Sequence, residues 1–280
     1  MSLQRTILVP SDFSKNALVA ARYALGFALQ SGYKLHFIFA YQPFKSAFQT
    51  MADNEAERKE AQLDSEERME AFREALGDTG EVSTCYGVAQ GHLVKCLEDF
   101  IRKEPVAFIV MGTHGESGPR KDIMGSNTYD VAISLSIPLV IVPETASGFN
   151  LDHVLFFTDF QQADVHTLEA FKDIVGESHR QVTLVHIVED ISEEKAREAQ
   201  LHEWKDRLQR ETGNAALDTE LVSGDENLYI INHIIERLHG DLTLLTLKRE
   251  KRFLDRLFYK SLAKAIVLNP KVPVLLTSVR

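Results

Sequence analysis

The sequence predicts an α/β protein built from two tandem doubly wound units, and three observations predict it. Short apolar runs alternate with longer segments of helical spacing, the pattern of a parallel sheet covered by helices. One half of the 280-residue chain recurs in the other. A strand-like run then stops at a glycine-punctuated loop that leads into a helix, in the place where such sheets hold their ligands.

The elements of the first copy follow in order. A strand is expected at 5–9, around Ile7-Leu8-Val9, and a helix at about 14–31. Lys34-Leu35-His36-Phe37-Ile38-Phe39-Ala40 marks a strand over 34–41, and a long polar helix follows at about 52–77. A strand at 82–86 and a helix at 91–103 come next. Val106–Met111 is apolar, follows a polar stretch and stops at Gly112, as a buried strand does. Thr128, Val131, Ala132 and Leu135 carry helical spacing over 126–136, and a strand over 138–142 closes the copy.

The repeat is explicit. Ile7-Leu8-Val9-Pro10-Ser11-Asp12-Phe13 recurs as Val154-Leu155-Phe156-Phe157-Thr158-Asp159-Phe160, and Lys34–Ala40 recurs as Gln181–Ile187, both 147 residues on. From Val82 onward the offset is 135, so the second copy lacks 12 residues between its second and third strands. Ile137-Pro138-Leu139-Val140 then meets Val272-Pro273-Val274-Leu275. The unit is too long for a solenoid repeat. It divides the chain into domains at 1–146 and 151–280, with Ser147-Gly148-Phe149-Asn150 as linker.

Val110-Met111-Gly112-Thr113-His114-Gly115 is followed, nine residues later, by Gly125-Ser126-Asn127-Thr128. Strand, glycine loop and helix N-terminus is how a backbone cradles phosphate: glycines admit the ligand, and unpaired N–H groups face the anion. An ordinary turn is the alternative. The loop after the first strand, Pro10–Phe13, falls at the same end of the sheet.

Composition narrows the function. The net charge of −10 argues against a nucleic-acid partner. No apolar run approaches the ~20 residues of a membrane span. The N-terminus runs straight into a strand, without a signal peptide, and the two cysteines, Cys85 and Cys96, read as small core residues, so a cytoplasmic location is expected. There is no nucleophile elbow and no clustered Cys/His site. Lys260-Ser261 ends like a Walker loop but lacks its glycines.

On these motifs the chain resembles the universal stress protein family, as a tandem two-domain member. Gly112, Gly115, Gly125 and Ser126 meet that family's nucleotide pattern without a gap, and Val9-Pro10-Ser11-Asp12-Phe13-Ser14 matches its opening strand and turn. The resemblance implies a strand order of 3-2-1-4-5 and, in one branch, bound ATP with Mg²⁺ or Mn²⁺. It implies a site made of Pro10, Ser11 and Asp12, Ala40, Met111, Gly112, His114 and Gly115, and Gly125, Ser126, Asn127 and Thr128. Asp12 would face the ribose and the metal, with a turn or cap role as its alternative. Ala40 would meet adenine through its backbone.

Glu116 stands where the family often has a basic residue, Pro119 stiffens the loop, and Arg120 and Lys121 are its nearby cations. In the second copy the 135 offset puts Leu247, Glu250 and Lys260 in place of the three glycines, leaving Ser261, so that domain is expected not to bind ATP. The function implied is a stress-response protein that binds ATP and acts through conformation or partners. A slow ATPase or adenine-nucleotide hydrolase is one alternative, and an interaction protein that binds no nucleotide is another. The apolar terminal strands, Leu139–Val142 and Val274–Thr277, are expected to pair within the chain as a pseudo-dimer, with homodimerisation open.

Overall fold

A computed structural model describes residues 4–42, 50–113, 126–176, 180–213, 216–225, 227–248, 266–267 and 269–279. The first half runs β1 (Thr6–Pro10), α1 (Lys15–Ser31), β2 (Lys34–Tyr41), α2 (Met51–Leu76), β3 (Thr84–Gln90), α3 (Leu93–Ile101), β4 (Val106–Gly112), α4 (Ser126–Ser134) and β5 (Leu139–Val142). The second runs β6 (Val154–Phe157), α5 (Ala163–Val175), β7 (Val182–Val188), α6 (Glu194–Thr212), β8 (Leu217–Ser223), α7 (Leu228–Arg237), β9 (Leu242–Lys248) and β10 (Val274–Val279).

The strands form one ten-stranded sheet in the order β3-β2-β1-β4-β5-β10-β9-β6-β7-β8. Each half has the order 3-2-1-4-5, but the two expected five-stranded sheets are continuous. They join where β5 meets β10 antiparallel, with Val140 opposite Leu275. All other pairs described are parallel. Leu139–Val142 is buried along its whole length. An open edge there would leave its N–H and C=O groups without partners in an apolar setting, so the two edges cover each other.

Helices cover both faces. α1, α2, α5 and α6 pack on one side through Phe27, Phe72, Phe171 and Leu208; α3, α4 and α7 pack on the other through Leu97, Val131 and Ile234. α1 starts at a Ser14 cap, whose hydroxyl accepts the Ala17 N–H, and stops at left-handed Gly32. α2 opens on a reciprocal Thr50/Asp53 capping box. Its first turns are largely exposed, and burial begins at Ser65, which explains why this helix reads as polar. Among the described residues no helix is long and apolar enough to cross a membrane.

The segment between the halves is pinned down. Phe149 packs edge-on against Tyr23 and Phe27, with ring centroids 5.1 and 4.7 Å away. Gly26 makes this possible, because a Cβ there would lie 2.2 Å from the Phe149 ring. Burial pushes the Tyr23 phenol well above its ordinary range. The Tyr33 hydroxyl donates to the Asp173 carbonyl at 2.8 Å, tying the turn after α1 to α5 across the two halves.

Candidate functional site

The order of strands reverses between β1 and β4, so the crevice beyond their carboxyl ends is the place to look. The loop leaving β1 is a chain of local bonds. The Ser11 N–H donates to the Ile38 carbonyl at 2.9 Å, and the Ser11 hydroxyl accepts the Phe13 N–H at 3.0 Å. Asp12 Oδ1 accepts the Ser14 N–H at 3.1 Å, so the turn role weighed for this half-buried carboxylate is one it fills. Phe13 takes φ 69°, a left-handed conformation that costs about 1 kcal/mol or more without glycine. Its ring offsets that by packing 4.4 Å from Phe39 and beneath the Arg68 guanidinium at 4.8 Å.

β2 runs past the end of β1. Main-chain groups alternate sides along a strand, so Ala40 turns its N–H and C=O to the same side as Ile38, toward the position β1 has left. The backbone expected to meet a base therefore faces the crevice.

At the end of β4 the side chain of Met111 is buried in the core beneath α4, so only its main chain borders the crevice. Gly112 follows, and the space its Cβ would fill is taken: a Cβ would lie 2.5 Å from Asn16 Oδ1 and 2.7 Å from Asn16 Cγ. Asn16, in the first turn of α1, is 3% exposed. Its Nδ2 donates to the Val142 carbonyl at 3.1 Å, and its Oδ1 accepts the Thr113 hydroxyl at 3.1 Å. Thr128, 4% exposed, donates its hydroxyl to the Gly112 carbonyl at 2.9 Å, so this side chain ties the start of α4 to the end of β4. Asn127 is exposed and Ser126 begins α4. His114, Gly115, Glu116, Pro119, Arg120, Lys121 and Gly125 lie outside the described residues.

The second half repeats the turn and changes the corner. Thr158 accepts the Phe160 N–H at 3.0 Å, and Phe160 has φ 58°. The register corrects the equivalence that a constant offset gives. Ile7 pairs with Phe108 and Leu8 with Ile109, while Val154 pairs with Leu242 and Leu155 with Thr243. This places Thr246, not Leu247, where the first half has Gly112. Glu250, Lys260 and Ser261 lie outside the described residues.

Around Thr246 is a buried polar network. Asp164, 2% exposed, accepts the Thr158 hydroxyl at 2.5 Å, the Gln161 N–H at 3.2 Å and the Thr246 hydroxyl at 3.0 Å. Thr167 joins Thr246 at 2.6 Å and Thr277 at 2.5 Å. Burial pushes the Asp164 carboxyl above the ordinary range, against the pull of those hydrogen bonds. Beside it the His186 ring lies 4.3 Å from Phe160, its Nδ1 2.9 Å from the Thr158 carbonyl. Sequence reasoning missed Asn16 and Asp164, since a polar side chain in the first turn of a helix reads as a cap or a solvent-facing group.

Among the described residues no three His, Cys, Asp or Glu side chains gather as a metal site. A single carboxylate such as Asp12 suits an ion carried mainly by phosphate oxygens, not one held by the protein alone. Cys85 and Cys96 are both free, but Cys85 is exposed on the edge strand β3, not in the core as expected; an edge strand leaves part of its surface uncovered.

Residues 4–143 match a family model described as the universal stress protein family. A universal stress protein from Archaeoglobus fulgidus DSM 4304 is 18% identical over 98% of both chains, with a TM-score of 0.68. A functionally unknown protein from Pseudomonas aeruginosa PAO1 is 15% identical, covering 98% of this chain and 92% of its own, with a TM-score of 0.61. At such identities these likenesses show the fold. A search among curated proteins found no match.

Proposed function

We propose that this chain, which belongs to the universal stress protein family, binds an adenine nucleotide with a divalent ion at the switch point of its first half. The observation that carries the reading is the convergence of three chain segments. The Pro10–Phe13 loop and the main chain of Ala40 border the crevice between the ends of β1 and β4, and Thr128, in the first turn of α4, bonds the Gly112 carbonyl at the end of β4. The N-terminus of a helix favours anions, and glycine-rich main chain reaches phosphate without side-chain interference.

In this reading Ala40 meets the base through main-chain groups, and the α4 N-terminus, with Ser126 and Asn127, meets phosphate. Asp12 borders the ion, which would offset triphosphate charge. The protein acts through conformation or partners in the cytoplasm, a reducing compartment consistent with two free cysteines.

The test is direct. Nucleotide extracted from the purified protein and analysed by mass spectrometry should be adenine-based, and calorimetry should show ATP binding that requires Mg²⁺ or Mn²⁺. A second reading, an interaction protein without nucleotide, draws on the contact between Asn16 and Gly112, which explains that glycine with no ligand present. Protein free of nucleotide and showing no heat with ATP and metal would establish it.

A further inference from the structure

We infer that Asn16 is a positioning residue of the first switch point, and that it, not an approaching ligand, is what requires glycine at 112. The positioning part rests on the nucleotide reading above; the packing part does not. Glycine is usually selected for a left-handed backbone or for close approach. Gly112 is absent from the positive-φ glycines, so conformation does not require it. Close approach does, and the approaching group is the Asn16 carboxamide, 2.5 Å from where a Cβ would stand.

The chemistry of the amide suits its place. Its NH₂ end donates to β5 at the Val142 carbonyl, and its oxygen accepts from Thr113, where the chain leaves β4. Thr113 N–H also donates to the Val142 carbonyl, at 3.2 Å. An aspartate would set a carboxylate oxygen against the Val142 carbonyl, and a leucine would supply neither the bond to Val142 nor the one from the Thr113 hydroxyl. Only an amide serves both ends at this length.

Asn16 stands two residues beyond Ser14, the group that holds Asp12 in its turn. The amide therefore couples the Asp12 loop to the main chain that opens the β4–α4 loop. In the second half the same two positions are Ala163 and Thr246, so at this pair the small residue is on the helix and the larger one on the strand, whose hydroxyl is bonded by Asp164 from the next helix position. At this corner a large side chain on one element stands opposite a small residue on the other.

The test is a double-mutant cycle on the full chain with Gly112→Ala, Asn16→Ala and the pair, read by denaturant unfolding and by ATP calorimetry with Mg²⁺ and with EDTA. Gly112→Ala should lower the unfolding midpoint in the wild-type background and lower it much less beside Asn16→Ala. Rescue should be partial, because the Asn16 backbone carbon remains 3.2 Å from the new Cβ. Equal losses in both backgrounds would overturn the packing claim. Asn16→Ser replaces Asn16→Ala if the latter does not fold. Asn16→Ala should weaken ATP binding in Mg²⁺ by about tenfold while the protein stays folded, and the affinity ratio between Mg²⁺ and EDTA should shrink. Unchanged affinity and ratio would overturn the positioning role. A wild type that binds no ATP at all would overturn the nucleotide reading and that role with it, while the unfolding cycle would still decide why residue 112 is glycine.

Discussion

In the first half, the corner between the ends of β1 and β4 is filled from the helix side by Asn16 lying against Gly112. In the second half, Ala163 takes the helix position, Thr246 rises from the strand, and Asp164 binds it from the next helix position. The turns beneath these corners are nearly the same. Ser11 and Thr158 each accept an N–H from two residues on at 3.0 Å. Phe13 and Phe160 are both left-handed, and each ring packs on the second strand, against Phe39 at 4.4 Å and His186 at 4.3 Å.

The difference separates two kinds of residue that a motif runs together. The hydroxyl and the left-handed aromatic make the same turn in both halves, so they belong to the fold, whereas the aspartate does not keep its bond: Asp12 accepts the Ser14 N–H, but the Gln161 N–H goes to Asp164. Retention of Asp159 alone therefore says little about a ligand; its carboxylate lies in the open, 3.9 Å from His186 Nδ1. The corner differs because the second half places its own carboxylate there, bonded to protein donors on both oxygens.

The largest effect should come from importing that carboxylate into the first half. Ala17 is the counterpart of Asp164, and Ala17→Asp would bury an acid where no threonine replaces Thr246. The loss should be about 3 kcal/mol in urea unfolding; an unchanged midpoint would mean that the two corners are interchangeable. The reverse change, Asp164→Ala, strips partners from Thr158, Gln161 and Thr246 and should cost about 2 kcal/mol.

A third comparison concerns the two aspartates of the turns. Asp12→Ala should weaken ATP binding in Mg²⁺ or Mn²⁺ by about tenfold, and less in EDTA, whereas Asp159→Ala should leave affinity unchanged. Equal losses in calorimetry would put nucleotide in both halves or remove the metal from the first.

The smallest effect is a pH dependence. The folded protein holds the Asp164 proton more tightly than the unfolded chain does. The stability this group supplies is full below the ordinary carboxylate range and is lost as pH rises through the raised folded value. Asp164→Asn keeps the bonds from Thr158 and Gln161, donates to Thr246, and has no proton to lose. At neutral pH it should be at least as stable as the wild type in urea unfolding, with a margin that closes on acidification. A margin that is flat with pH would show that Asp164 does not titrate in this window.

Much of this molecule was legible in advance. The strand expected at 34–41 is β2, Lys34–Tyr41, and the helix expected at about 52–77 is α2, Met51–Leu76. The edge strand was less so: expected at 82–86, it is Thr84–Gln90, where Cys85, Gly87 and Gln90 dilute the apolar signal of a half-exposed strand. The repeat identified both halves, but a constant offset misplaced positions, because short insertions fall between elements. Leu35 pairs with Thr84 and Val182 with Leu217, a register not recoverable from matching letters alone.

Apolar periodicity, glycine punctuation and internal repetition, all local properties of the chain, determined the α/β class, the doubling and the end of the sheet where a site would lie. The continuity of the sheet, the fit of Asn16 to Gly112 and the partners of Asp164 were decided only by tertiary structure. The Asn16 amide meets a carbonyl 126 residues away, and the Asp164 carboxylate a hydroxyl 82 residues away. A buried polar side chain is defined by the partners that replace water around it. When those partners come from distant strands, nothing in the neighbouring sequence announces them.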